Sequence, residues 1–458
     1  KLVEDNIMSL VRSISGLRAT LSDDLVPELV AKYAASFAKM LPAGKIVVGN
    51  DGRPSHEWIE NVLVGSLLAC GRDVVRLGTV PTPTVQLFAE KGDDVVGGVA
   101  ITASHNPSQW NGLKFVNASG VFLNAAENAV LWDILDNGKF EFSANKFGKI
   151  LDEADPLGKH IGYVLQMPLL TAELKEIICK RRLRVVVDAV NASGSVIVPQ
   201  LLRKFGCEVV ELFCDKSGVF PHTPEPLPIN LTQLAEAVKL NNADLGIAVD
   251  PDADRLVLID ETGSPIGEEK TICLAIDAVL RNAGAGATCA VNHSTTMLAD
   301  YVAEKYGCKC FRSPVGEINV VGKMKETKAI IGGEGSGGVI SAEVHYGRDS
   351  LVGITLVLSL MALKNNTLGE IAGEYPKYVM KKTKYPFNGS LDEYISKLKA
   401  EFAGAEIIHE DGIKVLTNGA WVQLRKSNTE PIIRVIAEAL EAETVENLLG
   451  KVTGILNV

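Results

Sequence analysis

Apolar and polar positions follow one pattern three times along the chain: a β-rich run, a polar loop, a stretch with helical spacing, a glycine, and a second β-rich run. The first copy has runs at 45–48 and 73–77 around a helix predicted at 58–69. The second has runs at 184–187 and 208–213 around 196–204, and the third has runs at 288–291 and 309–311 around 297–306. Short apolar strands alternating with helices of about 10 to 15 residues predict βαβ units with a mainly parallel sheet. Gly71, Gly206 and Gly307 stand where each helix should stop, because glycine accepts the left-handed conformation that ends a helix.

After a long apolar helix predicted at 351–364 the texture changes. Residues 375–386 read as a basic, proline-bearing linker, and beyond it short strands (413–417, 421–424, 432–437) and a final helix at 443–456 predict an α+β unit of different topology. The expected architecture is therefore α/β: three tandem, related mixed-sheet domains at 1–152, 153–262 and 263–374, then a C-terminal α+β domain at 375–458. A chain of 458 residues is too long for one core, and its 47% hydrophobic content lets each domain bury its own.

The formal charge of −10, with no block of basic residues, argues against nucleic-acid or membrane-surface partners. No apolar run reaches the roughly 18 residues of a membrane span and the first residues lack a signal pattern, so the expected location is cytoplasmic. Eight scattered cysteines suit buried thiols in a reducing compartment.

Four motifs from different quarters of the chain carry chemistry. Ser104 sits in Ile101-Thr102-Ala103-Ser104-His105-Asn106-Pro107, where Pro107 prevents a helix and a hydroxyl stands beside an imidazole, a place to hold a covalent group exposed. Asp250, Asp252 and Asp254 alternate in a predicted strand-to-strand loop and can converge on a hard divalent cation such as Mg²⁺. A calcium EF-hand is excluded there, since Arg255 stands where that loop needs glycine and strands flank it. The run Gly332-Gly333-Glu334-Gly335-Ser336-Gly337-Gly338 contains G-x-G-x-x-G but opens no clear helix, so it reads as a loop that lets backbone approach a sugar, with Glu334 and Ser336 as hydrogen-bonding groups. Arg425, Ser427, Asn428 and Thr429, with Arg434 beyond Pro431, have the inventory of a phosphate cradle.

Together these motifs resemble the α-D-phosphohexomutase family, in the family's order and over essentially the whole chain. The resemblance implies a heart-shaped, four-domain enzyme with a central cleft, acting on a hexose phosphate through a phosphoserine and a hexose 1,6-bisphosphate, as a monomer or homodimer. Ser104 matches the phosphoryl carrier and completes the Mg²⁺ site with Asp250, Asp252 and Asp254. Gly333, Glu334, Gly335 and Ser336 match the sugar loop, and Arg425, Ser427, Asn428, Thr429 and Arg434 the grip on the non-reacting phosphate. Arg18 and Arg53 match arginines near the phosphoserine, His105 and Lys114 candidates for proton transfer, and Arg255 the arginine beside the metal loop.

Departures bear on the sugar. Many relatives carry histidine where Gly338 stands, and Asn292 and His293 precede Ser294 where some relatives place a lysine. The sugar loop leans towards glucosamine phosphate, with glucose and mannose phosphates as alternatives.

Overall fold

The structure, a computed structural model, describes residues 10–14, 16–21, 23–140, 142, 144–427 and 431–456. Four sheets follow one another along the chain. In the first, Lys45–Asn50 pairs in parallel with Val74–Thr79 and with Val95–Ile101, and Trp110–Asn117 runs antiparallel beside the latter. The second sheet repeats this arrangement with Arg184–Asp188, Glu208–Phe213, Leu245–Val249 and the antiparallel Leu256–Ile259. The third repeats it again with Thr288–Asn292, Lys309–Ser313, Ile331–Glu334 and the antiparallel Gly338–Ser341.

The recurring sequence pattern thus extends further than its two legible runs. Each unit adds a third parallel strand and an antiparallel fourth, so the sheets are mixed. Gly71, Gly206 and Gly307 all have positive φ, at +77°, +72° and +65°, and end the helices before the second strand of each unit.

This repeat positions the chemistry. In every unit the crossing from the third strand to the antiparallel fourth lies at the carboxyl end of the parallel strands, where α/β sheets bind ligands. In the first unit that crossing holds Ser104, in the second Asp250 to Asp254, and in the third Gly335 to Gly337.

The C-terminal sheet is antiparallel throughout, in the order Val379–Pro386, Ile432–Ala439, Ala420–Lys426, Ile413–Thr417, Glu406–Ile408. Residues 379–386, expected as linker, are its edge strand. Lys381, Lys382 and Lys384 are what an edge strand tolerates, because charge on an unpaired edge blocks further pairing, and Pro386 falls at its end.

The second and third units share one core. Helix Ser350–Lys364 is buried on every side through Ala362 and packs against Glu268–Ala283 of its own unit and Ala172–Arg181 of the preceding one. The C-terminal unit has its own core and docks on the third through buried Glu438. That carboxylate accepts from the Thr296 hydroxyl, from Met297 N at 2.8 Å and from Trp421 Nε1 at 2.7 Å. Among the described residues no helix is long and apolar enough to cross a membrane, and all eight cysteines are free.

A candidate active site where four turns meet

Ser104 follows strand Val95–Ile101 with φ +51°, a left-handed conformation rare for a residue with a side chain. Its turn is held from below. Thr102 Oγ1 accepts from Ser104 N at 2.8 Å and donates to Asp51 Oδ2 at 2.6 Å. Arg53 is wholly buried and donates to Asp51 Oδ2 at 2.8 Å, to the carbonyls of Pro107 and Trp110 at 3.0 Å, and to the Ser104 carbonyl. Its guanidinium therefore braces the serine loop's backbone, with the Phe220 ring 4.9 Å away. Arg18 Nη1 donates to Asn106 Oδ1 at 2.9 Å on the same loop.

The serine itself is not exposed, contrary to the expectation from its loop position. Its Oγ is 3.0 Å from Asp250 Oδ2 and 3.3 Å from His105 Nδ1, so the second unit's aspartate turn covers it. Burial, then the cations Arg255 and Arg18, push the His105 pKa well below the usual imidazole range, leaving a neutral ring beside the hydroxyl.

Asp250, Asp252 and Asp254 have no exposed surface, and Ala253 between them adopts φ +48°. Lys114 Nζ donates to Asp252 Oδ2 at 2.6 Å and Asp254 Oδ2 at 3.2 Å, Thr82 Oγ1 donates to Asp252 Oδ2 at 2.6 Å, and Arg348 Nη2 donates to Asp254 Oδ2 at 2.7 Å. Burial alone would lower the Lys114 pKa, but the two carboxylates outweigh it and keep the ammonium charged. Burial would raise Asp252, yet Lys114 and Thr82 hold it below the carboxylate range. Asp250 goes the other way, pushed up by burial and by its two anionic neighbours.

These hydrogen bonds all fall on one oxygen, Oδ2, of Asp252 and of Asp254. Among the described residues Asp252 Oδ1 and Asp254 Oδ1 are buried with no hydrogen bond, Arg255 Nε standing 3.8 Å from the latter, and ligand atoms of the three aspartates lie within 4.8 Å of one another. Orphaned carboxylate oxygens are costly in a protein interior, and hard oxygen donors converging at this spacing fit Mg²⁺.

Across a cleft of about 570 Å³ lie the other two motifs. Glu334 ends strand Ile331–Glu334; its Oε1 accepts from Asn292 Nδ2 at 2.9 Å and Gly316 N at 3.1 Å, and its Oε2 from Arg348 Nη1 at 2.7 Å. Gly335 N donates to Thr295 Oγ1 at 2.9 Å, and Ser336 lines the cleft. Arg425 and Arg434 are register partners on adjacent strands and line the cleft with Ser427; Arg425 also pairs with Asp411 at 3.3 Å. Asn428 and Thr429 lie outside the described residues.

Several side chains at this site escaped the sequence reading. Arg348, Glu269, Asp51 and Thr82 each touch a motif, Lys382 lines the cleft and bonds Glu269, and read singly each is an ordinary polar residue. The available signal was weak: Gly347-Arg348-Asp349 directly precedes the long apolar helix, with Asp349 capping it through Leu351 N at 2.8 Å.

A hydroxyl against three buried carboxylates, with arginines on the far wall of one cleft, is equipment for phosphoryl transfer built on α/β sheets. Comparison with known proteins narrows this class: the chain belongs to the phosphoglucomutase/phosphomannomutase family, matching its alpha/beta/alpha domains I, II and III at residues 11–142, 164–263 and 268–378 and its C-terminal domain at 388–454. It is 36% identical over 443 residues, 95% of each chain, to the phosphoglucomutase/phosphomannomutase of Thermococcus kodakarensis. It is 32% identical over 440 residues, again 95% of each chain, to a protein of Methanopyrus kandleri named probable phosphoglucosamine mutase. A crystal structure of a phosphoglucomutase/phosphomannomutase family protein from Burkholderia thailandensis superposes with TM-score 0.84 at 26% identity, covering 97% of this chain and 98% of that one. The protein is thus a phosphomutase, an enzyme of the isomerase class.

Proposed function

We propose that the protein moves a phosphoryl group reversibly between the 1- and 6-positions of a hexose phosphate, through a phosphoserine at Ser104 and a hexose 1,6-bisphosphate. Glucosamine phosphate is the preferred substrate, with glucose and mannose phosphates as the alternative, and the enzyme acts in the cytoplasm as a monomer or homodimer. The observation that carries the reading is Ser104 Oγ 3.0 Å from Asp250, in a cluster where two buried aspartate oxygens have no hydrogen bond.

Asp250, Asp252, Asp254 and Ser104 would hold Mg²⁺, which supplies charge neutralisation for the phosphate on the serine. Phospho-Ser104 loses its phosphoryl group to a sugar hydroxyl: the serine P–O bond breaks, a sugar P–O bond forms, and the hydroxyl proton passes to a base that hands it on to the departing serine oxygen. His105, neutral and next to the serine oxygen, is the proton acceptor, and Lys114 holds Asp252 and Asp254 in place. Arg425, Ser427 and Arg434, with Asn428 and Thr429, grip the non-reacting phosphate, while Glu334 and Ser336 take sugar hydroxyls with the backbone of Gly333 and Gly335. After the bisphosphate turns over in the cleft, Ser104 takes back the other phosphate. Arg18, Arg53 and Arg255 stabilise the serine loop and the charge that gathers there.

The glucosamine preference draws on the sugar loop, on acidic Glu268, Glu269 and Glu334 lining the cleft, and on relatives named for phosphoglucosamine mutase. Assays with the 1-phosphates of glucose, mannose and glucosamine, each with Mg²⁺ and a trace of bisphosphate, test the reading. Isomerised sugar phosphate is expected, fastest for glucosamine; release of inorganic phosphate in its place would mean a phosphatase.

A further inference from the structure

Arg348 meets three carboxylates with three different nitrogens. Nε donates to Glu317 Oε2 at 3.0 Å, Nη1 to Glu334 Oε2 at 2.7 Å and Nη2 to Asp254 Oδ2 at 2.7 Å. One of these is the sugar-loop glutamate and another an aspartate of the metal cluster. We infer that Arg348 is a positioning residue that links sugar binding at Glu334 to cation retention at Asp254; the inference rests on the mutase reading above.

A guanidinium is a planar, rigid fork, so a carboxylate that moves on one prong must break its bond or turn the whole group. Arg348 has no slack to absorb such motion. Its stem lies on Gly338, where an added Cβ would come within 2.3 Å of Arg348 Cδ and 2.9 Å of Cγ. The backbone beside it is clamped as well, because the Asp349 carboxylate is held by His160 Nε2 at 2.8 Å, His345 Nε2 at 3.2 Å and Leu351 N at 2.8 Å. His160 belongs to the second unit and is bonded in turn to Thr84 of the first, Nδ1 to Oγ1 at 2.8 Å.

The fork also decides which oxygen Asp254 offers. With Oδ2 engaged by Arg348 and Lys114, Oδ1 is left inside the cluster with no hydrogen bond, 3.8 Å from Arg255 Nε. Without the fork, Asp254 keeps the 3.2 Å hydrogen bond from Lys114 and a longer 3.8 Å ion pair with Arg255 Nε, and Glu334 keeps the hydrogen bonds from Asn292 and Gly316 N. A sugar that draws on Glu334 therefore acts on the group that aims Asp254, and such coupling is reciprocal: each ligand tightens the other by the same factor.

The test is Mn²⁺ binding to the full chain, followed by electron paramagnetic resonance, with and without saturating glucose 6-phosphate. In the wild type the sugar phosphate should tighten Mn²⁺ by about fivefold or more, and inorganic phosphate, which has no sugar to reach Glu334, should not. Arg348→Lys keeps the charge but loses the fork, and Gly338→Ala displaces an intact guanidinium; either should bring the sugar effect close to onefold and raise KM for the sugar phosphate more than it lowers kcat. A wild-type ratio near one, or a folded variant that keeps the wild-type ratio, overturns the link. Failure of the mutase reading shows separately, as absence of wild-type isomerisation with Mg²⁺.

Discussion

Ser104 Oγ and Asp250 Oδ2 lie 3.0 Å apart although 146 residues separate them. They meet because the first and second units place the same crossing turn at the same end of the same kind of sheet. The contact requires Ser104 in a left-handed conformation, φ +51°, which any side chain makes unfavourable by about 1 kcal/mol.

Two substitutions separate the chemistry from that strain. Ser104→Ala should lower mutase turnover by orders of magnitude and keep the strain; Ser104→Gly should be equally inactive but more stable than Ser104→Ala by about 1 kcal/mol in urea unfolding. Near-normal turnover in either variant would remove Ser104 as the phosphoryl carrier.

Lys114 is the ammonium on which two of the aspartates depend, at 2.6 Å and 3.2 Å. Lys114→Met leaves buried Asp252 with only the Thr82 hydroxyl, while Asp254 keeps Arg348, and should destabilise the protein by about 3–5 kcal/mol. Mg²⁺ restores positive charge at the same cluster, so its addition should raise Tm more in the variant than in the wild type. Equal Tm gains in the two proteins would mean that the cation binds elsewhere.

What was legible in the sequence follows from how far each signal travels along the chain. The three α/β units could be read because strand, helix and stopping glycine are local features, repeated with Gly71, Gly206 and Gly307. The motif residues could be read because each turn gathers its own chemistry within a few positions. The burial of Ser104 could not, since its cover comes from Asp250. Nor could Arg348, whose partners at 254, 317 and 334 come from three segments. Lys381, Lys382 and Lys384 suggested a linker because an edge strand and a solvated connection share the same polar alternation.

Glu269 gives the protein a pH dependence separate from the serine chemistry. Its Oε1 accepts from Lys382 Nζ at 2.6 Å and its Oε2 from Thr296 N at 3.0 Å, yet burial outweighs both and lifts the carboxyl to about 7. A carboxyl whose folded pKa is raised holds a proton that the unfolded chain releases, so its contribution to stability is full below about pH 4.5 and is lost as pH rises through about 7. The loss should be on the order of 1–3 kcal/mol, moderated because 17% of the side chain meets solvent. Denaturation midpoints between pH 5 and 8 should fall with pH in the wild type relative to Glu269→Gln. Parallel curves for the two proteins would rule out this titration.

The same glutamate explains why position 335 is glycine. An added Cβ at Gly335 would stand 1.9 Å from Glu269 Oε2 and 2.4 Å from its Cδ, far inside contact distance. The carboxylate cannot withdraw cheaply, since Lys382 and Thr296 N hold its two oxygens, and the loop cannot rise without losing the bond from Gly335 N to Thr295 Oγ1 at 2.9 Å. Gly335→Ala should therefore shift the turn between Glu334 and Ser336, raising KM for sugar phosphates about tenfold or more, with a smaller change in kcat. Shortening the obstacle should undo part of this, so Gly335→Ala with Glu269→Asp is expected to bind better than Gly335→Ala alone. If the single variant keeps the wild-type KM, Glu269 does not set the shape of the sugar loop.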